Sequence, residues 1–206
     1  MDEYVCSRWD LPNELYRVHY VGSRTSFSSQ QGFAASDITK NFHYNESNEF
    51  KQAIKKQFTW SCREPPAFIS LFSDKQHAEN WGLKKPWCGH QSPDEDWTLY
   101  VINTVELLKT TQVFRLHDLV EKLSLDIPDV AKQHIQGAIL CLHHIPTSAI
   151  VASRTPSEIK RDRELEQLGI EGELDYLGDY GDADSDREML QENYNTIFEK
   201  NIEDNW

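Results

Sequence analysis

Long apolar runs, paired cysteines and an excess of basic residues are all missing from this sequence of 206 residues. No stretch approaches the ~20 consecutive apolar residues that a membrane-spanning helix needs. The first residues are acidic and lack the basic flank and apolar segment of a secretory signal. Both absences predict an intracellular protein, cytoplasmic or nuclear, that does not associate with a membrane.

The four cysteines are too scattered to predict a structural framework. Cys6, Cys62, Cys88 and Cys141 include no Cys-x-x-Cys pair, which argues against a disulfide scaffold and against a zinc ribbon. Cys88 with His90, taken together with Cys62, matches no standard zinc spacing. We therefore expect free thiols and no metal site.

Motifs of several enzyme classes are absent as well. There is no phosphate-binding loop, no His-Glu-x-x-His helix and no Ser-His-Asp order, so nucleotidase, metalloprotease and hydrolase functions have no support. Segment 22–32 has a glycine at each end but lacks the glycine spacing of a dinucleotide fingerprint. Its Ser, Thr and Gln residues predict a loop.

The net charge of −13 is concentrated in the last part of the chain. Residues 158–206 hold 16 Asp and Glu against 5 Lys and Arg, whereas the preceding residues are close to neutral. Such a segment repels phosphate backbones, so we expect no nucleic-acid partner. The charge is compatible with a basic protein partner and equally with a solvated acidic tail.

What the chain does contain is enough apolar surface for one packed body. Hydrophobic residues make up 38% and aromatic residues 11%, with six Trp. Strand-like and helix-like segments alternate without regular βαβ order, which favours an α+β fold. We predict one α+β domain over residues 1–157, followed by an acidic, helical and partly disordered tail over 158–206.

Periodicity and turn residues place the individual elements. Strands are predicted at 15–20, 68–69, 97–102, 113–116, 139–142 and 149–152. Helices are predicted at 48–59, at 75–81 with a stop at Gly82, at 117–123 and beyond Pro156, and a short turn or helix is predicted at 104–108. The first strand carries Arg17, and His19 points to the same face because side chains alternate along a strand. The second strand leads into a turn that carries Ser70.

Three runs of sequence resemble a fungal family of uncharacterised domains. They are Pro12-x-x-Leu15-Tyr16-Arg17-Val18, then Pro66-Ala67-Phe68-Ile69-Ser70-Leu71-Phe72-Ser73-Asp74 with His77-Ala78-x-x-Trp81, and Trp97-Thr98-Leu99 with His144-Ile145-Pro146-x-x-Ala149-Ile150. That family is similar in layout to mono-ADP-ribosyltransferases of the heat-labile-enterotoxin type, and the likeness spans about residues 11–152. The resemblance implies an ADP-ribosyltransferase-like split sheet, mixed or antiparallel, with short helices.

The resemblance also implies a site for NAD. The signature of those enzymes is an arginine on the first strand, a serine motif on the second, and a catalytic glutamate near a later strand. Carried over, Arg17 would bind the diphosphate, because a guanidinium group holds oxyanions in a fork. Ser70 would order the site, and Tyr16 and Phe72 would stack or pack nearby.

The catalytic glutamate has no clear counterpart. The strand expected to carry it, within residues 136–142, holds no carboxylate. Glu171-Gly172-Glu173 spells the Glu-x-Glu pair of arginine-modifying transferases, although it falls in the acidic segment. Glu171 and Glu173 are therefore the candidate catalytic carboxylates, and His19 is the candidate catalytic histidine. A carboxylate would stabilise the positive charge that develops on the ribose.

Two functions follow from these residues. The first is an NAD-binding, ADP-ribosyltransferase-like protein that transfers ADP-ribose to a protein acceptor or hydrolyses it. The second is a non-catalytic descendant of that fold that serves as a protein-interaction module, which the missing carboxylate favours. A binding module that grips a basic partner through its acidic tail needs only the charge asymmetry.

Overall fold

The computed structural model describes residues 2–42, 47–59, 62–84, 97–127, 132 and 135–167. Residue contacts divide the chain into two units, Met1–Glu164 and Leu165–Trp206. Of the second unit only residues 165–167 are described, so the predicted tail beyond them lies outside the described residues. The domain boundary at residue 157 stays a prediction. None of the helices in the described ranges has the length and apolar character to cross a membrane.

Two antiparallel sheets frame the first unit. The strands are β1 Glu14–Tyr20, β2 Ser26–Ser28, β3 Gly32–Ala34, β4 Phe68–Phe72, β5 Trp97–Asn103, β6 Val113–Arg115, β7 Ala138–Leu142, β8 His144–Ile145 and β9 Ile150–Arg154. Six strands form a large sheet in the order β6-β7-β4-β1-β5-β9, and three form a small sheet in the order β2-β3-β8. Every neighbouring pair is antiparallel.

Short helices complete the unit. They are α1 Ser47–Phe58, α2 Lys75–Leu83, α3 Thr104–Leu108, α4 Leu116–Leu123 and α5 Pro156–Gln167. The Asp74 side chain caps α2 by accepting a hydrogen bond from the backbone N–H of His77 at 2.6 Å. The predicted fold class is confirmed: α+β, with antiparallel sheets and short helices.

The loop predicted at 22–32 and the helix stop predicted at Gly82 were both wrong. Segment 22–32 is not a loop throughout, because it contains β2, which pairs with β3 at Phe27 and Phe33. Gly82 does not end α2 but lies inside it. A Cβ atom at Gly82 would lie 2.5 Å from the Trp97 ring, so this glycine is required for packing and not for a helix stop.

The placement of Ser70 was also wrong. The second predicted strand does not stop at Ile69, and Ser70 is not in a turn. It lies in the middle of β4, whose backbone pairs with β7 from Phe68 to Phe72. The alternation of Ile69, Leu71 and their polar or half-buried neighbours continues the strand through this serine.

The large sheet is covered on both faces. On one face, Leu15, Ile69 and Ile139 pack with Phe33 and Ile145 of the small sheet. On the other face, two further clusters bring the helices onto the sheet. One contains Phe50, Ile54, Phe68, Phe114, Leu116, Leu119 and Leu140, and the other contains Val18, Ala78, Trp97, Leu99 and Ile159. The core is therefore split into two layers by the sheet.

The junction between β1 and β4 has the fewest registered backbone pairs in the large sheet. It holds one registered pair, Tyr16 with Phe72. By contrast, β1 and β5 share seven registered pairs and β4 and β7 share five. Below, this junction is called the seam.

Candidate functional site

Alternation along β1 sends its side chains to two different layers. Leu15 belongs to the cluster beneath the small sheet, whereas Val18 belongs to a cluster beneath the helices. Arg17 and His19 share the face of Leu15, and Tyr16 shares the face of Val18. The candidate site is therefore the space between β1 and the small sheet.

The Arg17 side chain bridges β1 and β4 across the seam. Its Nη1 donates a hydrogen bond to the backbone carbonyl of Ser70 at 2.8 Å. Its Nη2 donates to Thr25 Oγ1 at 2.8 Å and to Ser23 Oγ at 3.1 Å. These contacts fix the guanidinium between β1, β4 and the chain leading into β2.

The charge of Arg17 is uncompensated within the described residues. All three of its hydrogen-bond acceptors there are neutral oxygens, and no described carboxylate forms an ion pair with it. The Nε of Arg17 is buried and has no hydrogen-bond partner in the described part of the chain. Burial lowers the pKa of Arg17 to about 10, so the side chain remains a cation at neutral pH.

His19 lies beside Arg17 in an aromatic enclosure. Its ring centroid is 5.3 Å from that of Phe33, 6.1 Å from Phe27 and 6.4 Å from Tyr100. Its Nδ1 is buried and has no partner among the described residues. Burial, and then the charge of Arg17, lower the pKa of His19 below its ordinary value.

The hydroxyl of Ser70 does not meet Arg17. Ser70 Oγ accepts a hydrogen bond from Gln57 Nε2 of α1 at 2.9 Å, on the helix-covered face of the sheet. Only the Ser70 carbonyl reaches Arg17. The predicted Arg–Ser pairing thus exists in the structure as a contact of the Ser70 backbone, with the side chain engaged elsewhere.

Tyr16 and Phe72 also lie on the helix-covered face. Both pack against the cluster that contains Val18 and Trp97. The Tyr16 hydroxyl donates to Glu14 Oε2 at 3.0 Å, and burial together with Glu14 raises the pKa of Tyr16 to about 12. The structure therefore brings Arg17 and His19 together and places Tyr16 and Phe72 behind the sheet from them.

The candidate carboxylates fall elsewhere in the chain. Glu171 and Glu173 lie outside the described residues. Strand β7, where the glutamate was expected, has the sequence Ala-Ile-Leu-Cys-Leu and carries no acidic group. Cys6, Cys62 and Cys141 are free thiols. Within the described residues no group of three or more His, Cys, Asp or Glu is placed to hold a metal ion.

Several residues of this site were missed by the sequence analysis. Ser23, Thr25 and Phe27 fell in the segment interpreted as a loop. Phe33 and Tyr100 complete the enclosure, with ring centroids 4.9 Å apart. Their signal was present, because Phe27 and Phe33 flank a short turn that ends at Gly32, where the backbone has a positive φ of 85°.

The chain can be assigned to a family. A family model described as "Domain of unknown function (DUF7587)" matches residues 10–159. The chain belongs to DUF7587. This match ends in α5, whose Ile159 is buried against the large sheet. Among curated proteins, no match was found for this DUF7587 chain.

Solved structures similar to this DUF7587 chain share little sequence with it. "EcPltA" matches with a TM-score of 0.45 and 13% identity, over 69% of this chain and 75% of that one. "Thermus sp. 2.9 DarT in complex with ADP-ribosylated ssDNA" matches with a TM-score of 0.36 and 14% identity, over 77% and 88%. The same DarT "in complex with NAD+" gives 0.35 and 12%, over 77% and 89%. At these values no activity or ligand is transferred to this chain.

Proposed function

We propose that this domain binds NAD through Arg17 and that it transfers or hydrolyses the ADP-ribose part of NAD. The observation that carries the proposal is the uncompensated cation of Arg17, which meets only neutral oxygens within the described residues. A partly buried charge without a counter-charge is unfavourable, because part of its hydration is lost and no opposite charge replaces it. The diphosphate of NAD would supply that counter-charge.

The groups around Arg17 fit such a ligand. The Nε of Arg17 is buried and unbonded among the described residues, and phosphate oxygens are strong acceptors for a guanidinium fork. Ser23, Thr25 and the Ser70 carbonyl orient the guanidinium and so act as positioning groups.

The chemical step requires a carboxylate beside the ribose. NAD supplies a nicotinamide–ribose bond whose electron pair leaves with nicotinamide, while an acceptor or water bonds to the ribose carbon and loses a proton. A carboxylate stabilises the positive charge that develops on the ribose. Glu171 and Glu173 are the proposed candidates for this role, and a protein side chain is the proposed acceptor.

Arg17→Gln tests NAD binding directly. We expect ligand-observed NMR to show NAD binding to the full chain and at least a roughly tenfold loss in Arg17→Gln, because a charge-assisted contact is removed. Arg115→Gln is the matched control, since it removes another arginine, from the partly exposed pair with Asp118, without leaving a buried carboxylate unpaired. Circular dichroism checks that both variants fold.

Ser70→Ala sharpens the same test. Its hydroxyl faces Gln57, so the variant should bind NAD about as well as the unmodified chain. Binding by Arg17→Gln that equals that of the unmodified chain would overturn the proposal. Strong loss in Ser70→Ala alone would show that NAD occupies the helix-covered side of the sheet.

A second function is favoured by the sequence of β7. Because the expected strand carries no carboxylate, the domain is also a candidate for a non-catalytic descendant that binds other proteins. Nicotinamide release, followed by NMR over hours in the presence of NAD, separates the two. Release indicates the enzyme, and binding without release indicates the interaction module. A basic protein partner for residues 158–206 and a cytoplasmic or nuclear location belong to either proposal.

A further inference from the structure

Two unsatisfied nitrogens lie on the same face of β1. They are Nε of Arg17 and Nδ1 of His19, both buried and both without a hydrogen-bond partner in the described part of the chain. The residues are two apart on one strand, so their side chains are neighbours. A buried polar group without a partner costs about 1–3 kcal/mol. Two such groups side by side indicate a ligand with acceptor oxygens.

Among the described residues, the surroundings of His19 offer no hydrogen-bond partner for its buried Nδ1. Phe33 of β3 and Phe27 of β2 border the ring and offer no side-chain acceptor. Tyr100 of β5 is the remaining aromatic neighbour, and no hydrogen bond joins it to His19 within the described residues. An anion held by Arg17 is therefore the partner that this nitrogen fits.

We propose that His19 is the second anion-contacting residue of the Arg17 site and takes up a proton when a diphosphate binds there. The identity of the diphosphate, NAD, rests on the proposed function. The coupling between Arg17 and His19 does not, since any compact dianion placed between them would produce it.

The direction of the coupling follows from the charges that face His19. Within the described part of the chain, the charged or titratable groups that face His19 are the cation Arg17 of β1 and the neutral phenol of Tyr100 of β5, while Phe27 and Phe33 carry no charge. In the free protein, burial and Arg17 lower the pKa of His19 below its ordinary value, which favours the neutral ring. A bound anion favours the charged imidazolium and raises that pKa. Affinity therefore increases as the pH falls through the pKa of the bound form, and it levels off below the pKa of the free form.

Proton-detected NMR of the His19 ring in the full chain measures this coupling. The pKa of His19 is determined in the free protein, with NAD, and with sulfate, a minimal dianion that does not titrate from about pH 5 to 8. We expect both anions to raise the pKa by about one unit, which corresponds to about tenfold tighter binding at the acidic end. His117 of α4, which faces Glu121, is the internal control and should not respond to either anion.

Two variants separate anion coupling from structure. In His19→Gln, NAD should still bind through Arg17, but its affinity should no longer change between pH 5 and 8, to within about twofold. In Arg17→Gln, the His19 pKa should no longer respond to sulfate or NAD. A pH dependence that survives in His19→Gln would assign the titration to another group and overturn the proposal.

The outcomes distinguish this proposal from the proposed function. If NAD binds while the His19 pKa stays fixed, the anion contact of His19 is refuted and NAD binding stands. If sulfate raises the His19 pKa while NAD does not bind, the anion site stands and the NAD assignment is refuted. If neither anion binds or shifts the pKa, both are refuted.

Discussion

Arg17 and Arg163 are both partly buried, but only Arg163 has a carboxylate partner among the described residues. Arg163 of α5 donates from Nε and Nη2 to Glu79 Oε2 at 3.0 and 2.8 Å, and the two side chains are only 17% and 7% exposed. Arg17 of β1 is held just as firmly, but by two hydroxyls and one carbonyl. One charge is neutralised within the described fold, and the other is not.

The difference indicates what each arginine is for. In the contact between α5 and α2, a carboxylate from the chain itself supplies the counter-charge, so the pair holds two helices together. At the seam, three neutral oxygens orient the guanidinium without cancelling its charge. An arginine that only held β1 to β4 would gain from a carboxylate beside it. The uncompensated one is suited to an anion from outside the chain.

Glu79→Ala should produce the largest loss of stability. The substitution leaves the Arg163 cation without its buried partner, which costs about 3 kcal/mol. Urea unfolding followed by tryptophan fluorescence measures the change. Lys109→Ala, which breaks the exposed pair with Glu106, is the control and should change the free energy of unfolding very little.

The double substitution Glu79→Met with Arg163→Met tests the interpretation of this pair. Because both charges are removed, no buried charge is left unpaired. The double variant should therefore recover most of the free energy of unfolding that Glu79→Ala loses. A double variant as unstable as Glu79→Ala would show that the contact acts through its packing and not through its charges.

Gly82→Ala should have a smaller effect on the same helix. The added methyl would lie 2.5 Å from the buried ring of Trp97, so α2 must shift away from the sheet. We expect a loss of about 2 kcal/mol in the free energy of unfolding, as for other overpacked cores. Gly82→Ala with Trp97→Leu should recover part of it, and no recovery would contradict the steric explanation.

Arg17→Met should have the smallest effect on the unliganded protein. Three hydrogen bonds are lost, yet the burial cost of an uncompensated charge is lost with them, so we expect a change of about 1 kcal/mol. Ser23 Oγ and Thr25 Oγ1 lie 3.0 Å apart and can bond to each other. A destabilisation as large as that of Glu79→Ala would assign Arg17 to the structure of the seam and weaken its assignment to a ligand.

The sequence was sufficient for most strands and helices of this fold. Apolar periodicity located α1, α4 and β5, and a continuous apolar run located β7, each to within two residues. It failed for β2, since Ser26-Phe27-Ser28 is short, polar and exposed, and its strand character comes from pairing with β3. It failed at Gly82 because the constraint there comes from Trp97, which is distant in sequence.

The site was predictable only in part, because alternation shows which residues of one strand share a face but not how the faces of two strands correspond. Alternation correctly indicated that Arg17 and His19 share one face. It did not show which face the Ser70 side chain takes relative to Arg17, because that depends on the pairing of β1 with β4. The register of β1 against β4 is defined by the single pair of Tyr16 with Phe72, and no local sequence pattern predicts that pair.

The seam has a consequence for how the chain is connected. It separates the trio β1, β5 and β9 from the trio β4, β6 and β7, with one backbone pair between them. Along the chain these strands are interleaved, so the backbone passes from one trio to the other four times. A single cut of the backbone therefore cannot give two fragments that each contain one complete trio. At the junction with the fewest backbone pairs, these four covalent connections hold the two trios together.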